Sequence, residues 1–85
     1  MKVRVLYFAS LREQVGRSKE EIELPGEGST IGALRSQLQA RGGAWATALA
    51  EGKLLRMAVN MDMAQGDAPI KAGDEVAFFP PVTGG

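Results

Sequence analysis

The residues that could do chemistry are few, and one of them is not a side chain. The chain of 85 residues has no histidine and no cysteine. That removes the commonest general base, the commonest transition-metal ligand, any thiolate metal site and any disulfide. Ten carboxylate side chains remain. Glu20, Glu21 and Glu23 read as the polar face of a strand, and Asp62, Asp67 and Asp74 fall at turns, where Asp is favoured for local hydrogen bonds. General acid–base work needs a positioned, pKa-shifted group in a pocket, and none of these has such a setting. Ser10, Ser29 and Thr30 read as caps or loop hydroxyls. The end of the chain is different. Glu75-Val76-Ala77-Phe78-Phe79-Pro80-Pro81-Val82-Thr83-Gly84-Gly85 runs from an apolar segment, through two prolines that cannot join a strand ladder, to a diglycine carboxylate. A carboxylate is a poor acyl electrophile, but ATP can turn it into an acyl-adenylate. Sulfide or a persulfide would then leave a thiocarboxylate, and an amine would leave an amide. Glycine suits a narrow enzyme slot, because without Cβ it lets backbone approach backbone. Pro-Pro favours an extended spacer, and Pro80 to Gly85 fully extended spans roughly 20 Å.

The elements that must hold this tail are legible as patterns. Lys2 to Ala9 alternates, with Val3, Val5 and Tyr7 on a core face and Lys2, Arg4, Leu6 and Phe8 opposite. Ser10 to Gly16 reads as a short helical turn capped by Ser10 and ended by Gly16. Glu20 to Leu24 is a second strand, antiparallel to the first and broken by Pro25-Gly26-Glu27-Gly28. Thr30 caps the main helix, with Ile31, Leu34 and Leu38 on its apolar stripe and Arg35, Gln37 and Arg41 directed elsewhere. Gly42-Gly43 ends that helix; it follows a helix and lacks phosphate-loop spacing, so it is not a nucleotide loop. Ala44 to Ala50 is a second helical piece carrying Trp45 and Leu49, and Trp45 reads as a core plug. Leu54 to Asn60 is a third strand, Asn60 to Met63 a tight reversal into a short edge segment, and Ala64 to Lys71 irregular. Ala72-Gly73-Asp74 turns into a last strand, Glu75 to Phe79, with Val76 and Phe78 on one face and Ala77 and Phe79 on the other.

This order is an α+β roll: a hairpin, a helix across it, and a return that places the last strand parallel to the first. The mixed sheet with one main helix packed across it is the β-grasp, or ubiquitin-like, fold. The expected organisation is one domain over residues 1–80 and a flexible diglycine tail over 81–85. Ten basic and ten acidic residues cancel, so no clustered basic face for nucleic acid is expected. No apolar run reaches membrane-span length, and the alternating start Met1-Lys2-Val3-Arg4-Val5 is unlike a signal peptide. A cytoplasmic protein bound to neither nucleic acid nor membrane is expected.

Gly73 to Gly85, with Gly52-Lys53-Leu54-Leu55, Ala58-Val59-Asn60 and Phe8-Ala9-Ser10-Leu11-Arg12-Glu13, resembles the small, sulfur-carrier subunit of molybdopterin synthase, the MoaD family. The likeness covers essentially the whole chain and is most specific at the tail. It implies that Gly85 is adenylated by an E1-like, ATP-using adenylyltransferase and converted to a thiocarboxylate, with Gly84 giving clearance in the slot. The tail would enter the large synthase subunit and deliver sulfur to cyclic pyranopterin monophosphate, in a heterotetramer of two small and two large subunits. No cofactor or metal would be bound by this chain, and catalytic side chains would belong to the large subunit. The resemblance also implies an apolar docking patch of Phe8, Met63 and Phe79, a rim contact from Arg12, and partner contacts along Pro80, Pro81, Val82 and Thr83. Three rivals share the fold: a sulfur carrier for thiamine synthesis, a ubiquitin-like modifier that forms amide bonds to lysines, and a β-grasp binding module whose diglycine does nothing.

Overall fold

A computed structural model describes residues 1–25, 29–50, 52 and 54–81. In chain order the elements are β1 (Lys2–Tyr7), α1 (Ala9–Val15), β2 (Lys19–Glu23), α2 (Ile31–Gln39), α3 (Gly43–Ala48), β3 (Arg56–Val59), β4 (Asp62–Ala64) and β5 (Glu75–Phe79). They build one mixed sheet in the order β2-β1-β5-β3-β4. β1 pairs antiparallel with β2 and parallel with β5, and β3 pairs antiparallel with both β5 and β4. The β-grasp expectation holds, with β5 in the middle of the sheet and flanked by β1 and β3.

The alternation of the strands decides which side is covered. Val3, Val5 and Tyr7 of β1, Ile22 of β2, and Val76 and Phe78 of β5 join Leu11, Ile31, Leu34, Leu38, Ala48, Leu49 and Ile70 in a single buried core. The side chains of Val5, Val76 and Phe78 are fully enclosed. α2 closes over this face because Ile31, Leu34, Arg35 and Leu38 form one inward stripe. Thr30 starts the helix as its spacing predicts, its hydroxyl accepting from the Ala33 N–H at 3.1 Å. Glycine suits position 32 in this packing: its N–H donates to the Gly66 carbonyl at 2.8 Å, and a Cβ there would crowd that same oxygen at 3.0 Å.

Four local expectations are corrected. α1 is capped by Phe8, not Ser10; Phe8 is extended and makes no side-chain cap bond. The chain turns out of β1 through Ala9 at φ 53°, so the cap falls two residues early and the alternation ends at Phe8. Arg35 is not directed away from the core. It is buried, and its guanidinium donates to the Leu49 and Ala50 carbonyls, satisfying the end of α3, where Gln39 also donates to Leu49. Glu20 does not share the polar face of Glu21 and Glu23. It lies opposite Val5, partly buried, accepting from the Tyr7 hydroxyl at 2.8 Å and from Arg41 and Arg17. Trp45 plugs the core only in part: it packs against it half-buried, its ring centroid lies 5.3 Å from that of Tyr7 in an edge-to-face pair, and Arg41 lies over it at 4.5 Å. Burial, with Glu20 beside it, pushes the Tyr7 hydroxyl well above the usual phenol range, so it stays a neutral donor.

Candidate functional site

The site is built at the end of β5, where the strand ladder hands over to Pro80. Val82, Thr83, Gly84 and Gly85 lie outside the described residues. What the structure places is the base of the tail and the surface around it.

β5 is fixed at its start by a polar clamp. Asn60 donates from its side chain to the Asp74 carboxylate at 3.0 Å and accepts from the Glu75 N–H at 3.0 Å, and its own N–H donates to the Glu75 carbonyl at 2.8 Å. The second Asp74 oxygen accepts from the Lys71 N–H at 2.9 Å. The hydrogen bond from Asn60, with the one from the Lys71 N–H and the Lys71 charge, holds the Asp74 carboxyl below the usual carboxylate range against the opposing effect of burial. Asp74 is therefore a structural anion. Gly73, at φ 87°, supplies the left-handed turn that feeds this clamp.

The register then places the docking residues. Opposed residues on neighbouring strands share a face. Leu6 pairs with Ala77, Ala77 with Ala58, and Ala58 with Met63. These four therefore cross the outer, helix-free face in one row. Phe79 lies one step nearer the tail, opposite Arg56. Phe8 continues past β1 on the same side. Its ring meets that of Phe79 edge-on, with centroids 6.5 Å apart and planes at 84°. Phe8 is 47% exposed and Met63 58%, so the outer face keeps an apolar patch in water beside the tail's exit.

Phe8 is exposed but not loose. Its N–H donates to the Phe78 carbonyl at 3.2 Å, and its carbonyl accepts from the Leu11 N–H at 3.1 Å. Its backbone is thus tied to β5 and to α1 at once, which fixes where the ring stands. A large apolar side chain held in water by a rigid backbone is a contact surface in waiting. Of the predicted docking residues, Phe8, Met63 and Phe79 are on one face, and Pro80 and Pro81 continue from it half-buried. Arg12 is exposed on α1. Pro81, with Leu54, Arg56, Met63 and Gln65, lines an open groove of about 570 Å³ on the β3–β4 side of the exit. Arg56 and this groove were not singled out from the sequence, although alternation back from Ala58 would have placed Arg56 on the outer face.

A ubiquitin-like β-grasp domain whose central strand ends beside an exposed apolar patch is the class this fold and surface define. Comparison with known proteins narrows it. The model of the ThiS family matches residues 5–85. The molybdopterin synthase sulfur carrier subunit of Escherichia coli is 48% identical over 83 residues, covering 98% of this chain and 99% of that protein. Among solved structures, a putative molybdopterin converting factor subunit 1 from Pyrococcus furiosus superposes with TM-score 0.81 at 34% identity, over 96% of this chain and 99% of the other. SAMP1 of Haloferax volcanii superposes with TM-score 0.78 at 26% identity, over the whole of both chains. The chain belongs to the ThiS family, among the molybdopterin synthase sulfur carrier subunits.

Proposed function

We propose that this chain carries sulfur as a thiocarboxylate on Gly85 and delivers it to cyclic pyranopterin monophosphate during molybdenum cofactor synthesis. The observation that supports this reading most is the full-length likeness to a sulfur carrier subunit, together with the Phe8–Phe79 contact set beside the tail's exit.

The chemistry needs two partners. An E1-like adenylyltransferase joins the Gly85 carboxylate to AMP from ATP and releases pyrophosphate. A sulfur nucleophile then displaces AMP and leaves the thiocarboxylate. Gly84 and Gly85 give the clearance such an active site needs, since neither carries a Cβ. The large synthase subunit then receives the tail and takes the sulfur; the carrier leaves as the carboxylate, and two carriers serve each dithiolene. A heterotetramer of two small and two large subunits is the assembly proposed, in the cytoplasm. This chain contributes the reacting terminus, and the catalytic side chains belong to its partners. ATP is used by the activating enzyme and is not a cofactor of this chain. Phe8, Met63 and Phe79 form the apolar centre of the contact, with Arg12 at its rim and Pro80 to Thr83 lining the tail's path.

Intact-mass measurement after incubation with the adenylyltransferase, ATP and a sulfur donor tests this. Replacement of one terminal oxygen by sulfur is expected, followed by loss of that sulfur when the large subunit and pterin precursor are added. The likeness to SAMP1 favours a second reading, a protein modifier; covalent adducts on lysines of other proteins would support it instead. Transfer of the sulfur into a thiazole and not a pterin would assign the chain to thiamine synthesis.

A further inference from the structure

The charges on the outer face of the sheet are distributed unevenly. At the end remote from the tail, each cation has a carboxylate beside it. Arg4 lies opposite both Glu21 and Glu75 in register, 3.8 Å from the latter. Lys2 lies opposite Glu23, which also holds the amino terminus at 2.9 Å. At the tail end the matching stops. Lys19 borders the apolar row on the β2 side, opposite Leu6, and Arg56 borders Phe79 on the β3 side. Neither makes an ion pair or a side-chain hydrogen bond with another described residue. Alternation sends Glu20 to the covered face and keeps Glu21, Glu23 and Glu75 at the remote end. The described lining of the groove beside the exit carries Arg56 and no carboxylate. The apolar patch is thus bordered on two sides by cations that have no ion pair among the described residues, roughly 16 Å apart, three strand spacings across the sheet and two residues along it.

We propose that the tail end of the outer face docks on a protein surface whose apolar centre is bordered by carboxylates, with Arg56 and Lys19 as the rim cations that orient it. The inference rests on the carrier reading and names the surface of the partner that receives the tail. The tail ends in an anion, so the slot that binds it must be cationic inside. Carboxylates around the mouth of that slot complement Arg56 and Lys19, and the two opposed patterns of charge fit together in only one orientation. The matched, neutral remote end gives a partner no comparable pull. Rim charges of this kind act on the rate of encounter more than on the final affinity, while the buried aromatic pair governs the lifetime of the complex.

The test is stopped-flow association of the full-length carrier with the large synthase subunit over a range of sodium chloride concentrations. Exposed-surface variants are used, each verified as folded by its thermal melt. Arg56→Glu is expected to lower the low-salt association rate about tenfold and Lys19→Glu severalfold, with both differences closing at high salt. Lys2→Glu, at the remote end, should change that rate less than twofold. An association rate indifferent to salt, a rate for Arg56→Glu equal to or above that of the parent, or a Lys2→Glu effect as large as that of Arg56→Glu would overturn the proposal while leaving the carrier reading in place. A concentration-dependent dimer in sedimentation that Arg56→Glu abolishes would assign the face to a second copy of this chain and would also overturn it. If the parent protein neither binds the large subunit nor accepts sulfur at Gly85, the carrier reading falls and this proposal with it.

Discussion

The two faces of one sheet, built by alternate residues of the same strands, meet opposite fates. Phe78 and Phe79 are neighbours in β5. Phe78 is fully enclosed beneath the helices, and Phe79 stands half-buried against the ring of Phe8. The covered face spends its apolar residues on cohesion: Val3, Val5, Tyr7, Val76 and Phe78 all lie in the buried core. The open face retains Leu6, Phe8, Met63 and Phe79 with no layer above them among the described residues. Isolated exposed apolar side chains are ordinary, but here they share one end of one face, and it is the end from which the tail departs. The difference teaches that side-chain type alone does not separate stability from recognition. Strand register does.

That contrast can be broken most sharply at the tail. Deletion of Gly84-Gly85, or extension of Gly85 by one bulky residue, should abolish thiocarboxylate formation and leave the melting temperature unchanged. Intact mass and a thermal melt read the two effects separately, and normal thiocarboxylate formation in the extended protein would refute the slot argument. The adjacent phenylalanines give the next largest effect. Phe78→Ala should lose about 3–5 kcal/mol of stability through its cavity. Phe79→Ala should lose under about 1 kcal/mol of stability yet weaken binding to the large subunit by about 2 kcal/mol. Denaturant unfolding and calorimetric titration check the pair, and equal stability losses would dissolve the distinction between the faces.

A smaller effect sharpens the comparison from the core side. Asp74 has a depressed folded-state pKa, caused first by the Asn60 hydrogen bond and then by the Lys71 N–H and the Lys71 charge. Glu20 is depressed too: partial burial opposes its charge, but Arg41 and Tyr7, both donating to it, outweigh that. A depressed carboxylate contributes stability above its ordinary pKa, and the contribution is lost as pH falls through the folded value. Stability should therefore be level from neutral pH to about 5 and decline below about 4. Asp74→Asn should cost about 1–2 kcal/mol at neutral pH, because the new amide faces the Asn60 donor, and should flatten part of the acid decline in melts taken across that range. An unchanged acid slope in this variant would remove Asp74 from the account. The smallest effect falls at the β3–β4 hairpin. Asn60 and Met61 both have positive φ, 49° and 74°, the geometry of a two-residue turn that favours Asn-Gly. Met61→Gly should raise stability by about 0.5–1 kcal/mol and leave partner binding unaltered; a destabilised variant would mean that the Met61 side chain is held by contacts of its own.

Much of this was legible in the chain because it is local. The alternation of β1 and β5, the Thr30 cap, the Gly16 stop and the Pro-Pro end of the last strand are short-range signals, and the crossover rule places β5 beside β1. What escaped depends on distant partners or on a residue's charge masking its position. Arg35 is four residues from Ile31 and so lies on the apolar stripe, but its charge suggested solvent; the carbonyls of Leu49 and Ala50 at the end of α3, distant in sequence, receive its guanidinium there. Glu20 sits two residues from Ile22 and shares its face, and Tyr7 and Arg41, remote in sequence, make that position tenable. The early start of α1 needed a positive φ at Ala9, which alanine does not advertise. The aromatic pair was foreseeable from alternation, whereas Arg56 became meaningful only when the β3–β5 register set it across from Phe79.

The place of β5 in the sheet has a mechanical consequence. A partner that draws in the tail loads a strand bonded on both sides, to β1 and to β3. The pull runs along the strand, across hydrogen bonds lying largely crosswise to it, so both ladders would have to slip together before the strand yields. An edge strand would offer one ladder instead of two, and this tail is tethered where traction on it is shared by the whole sheet.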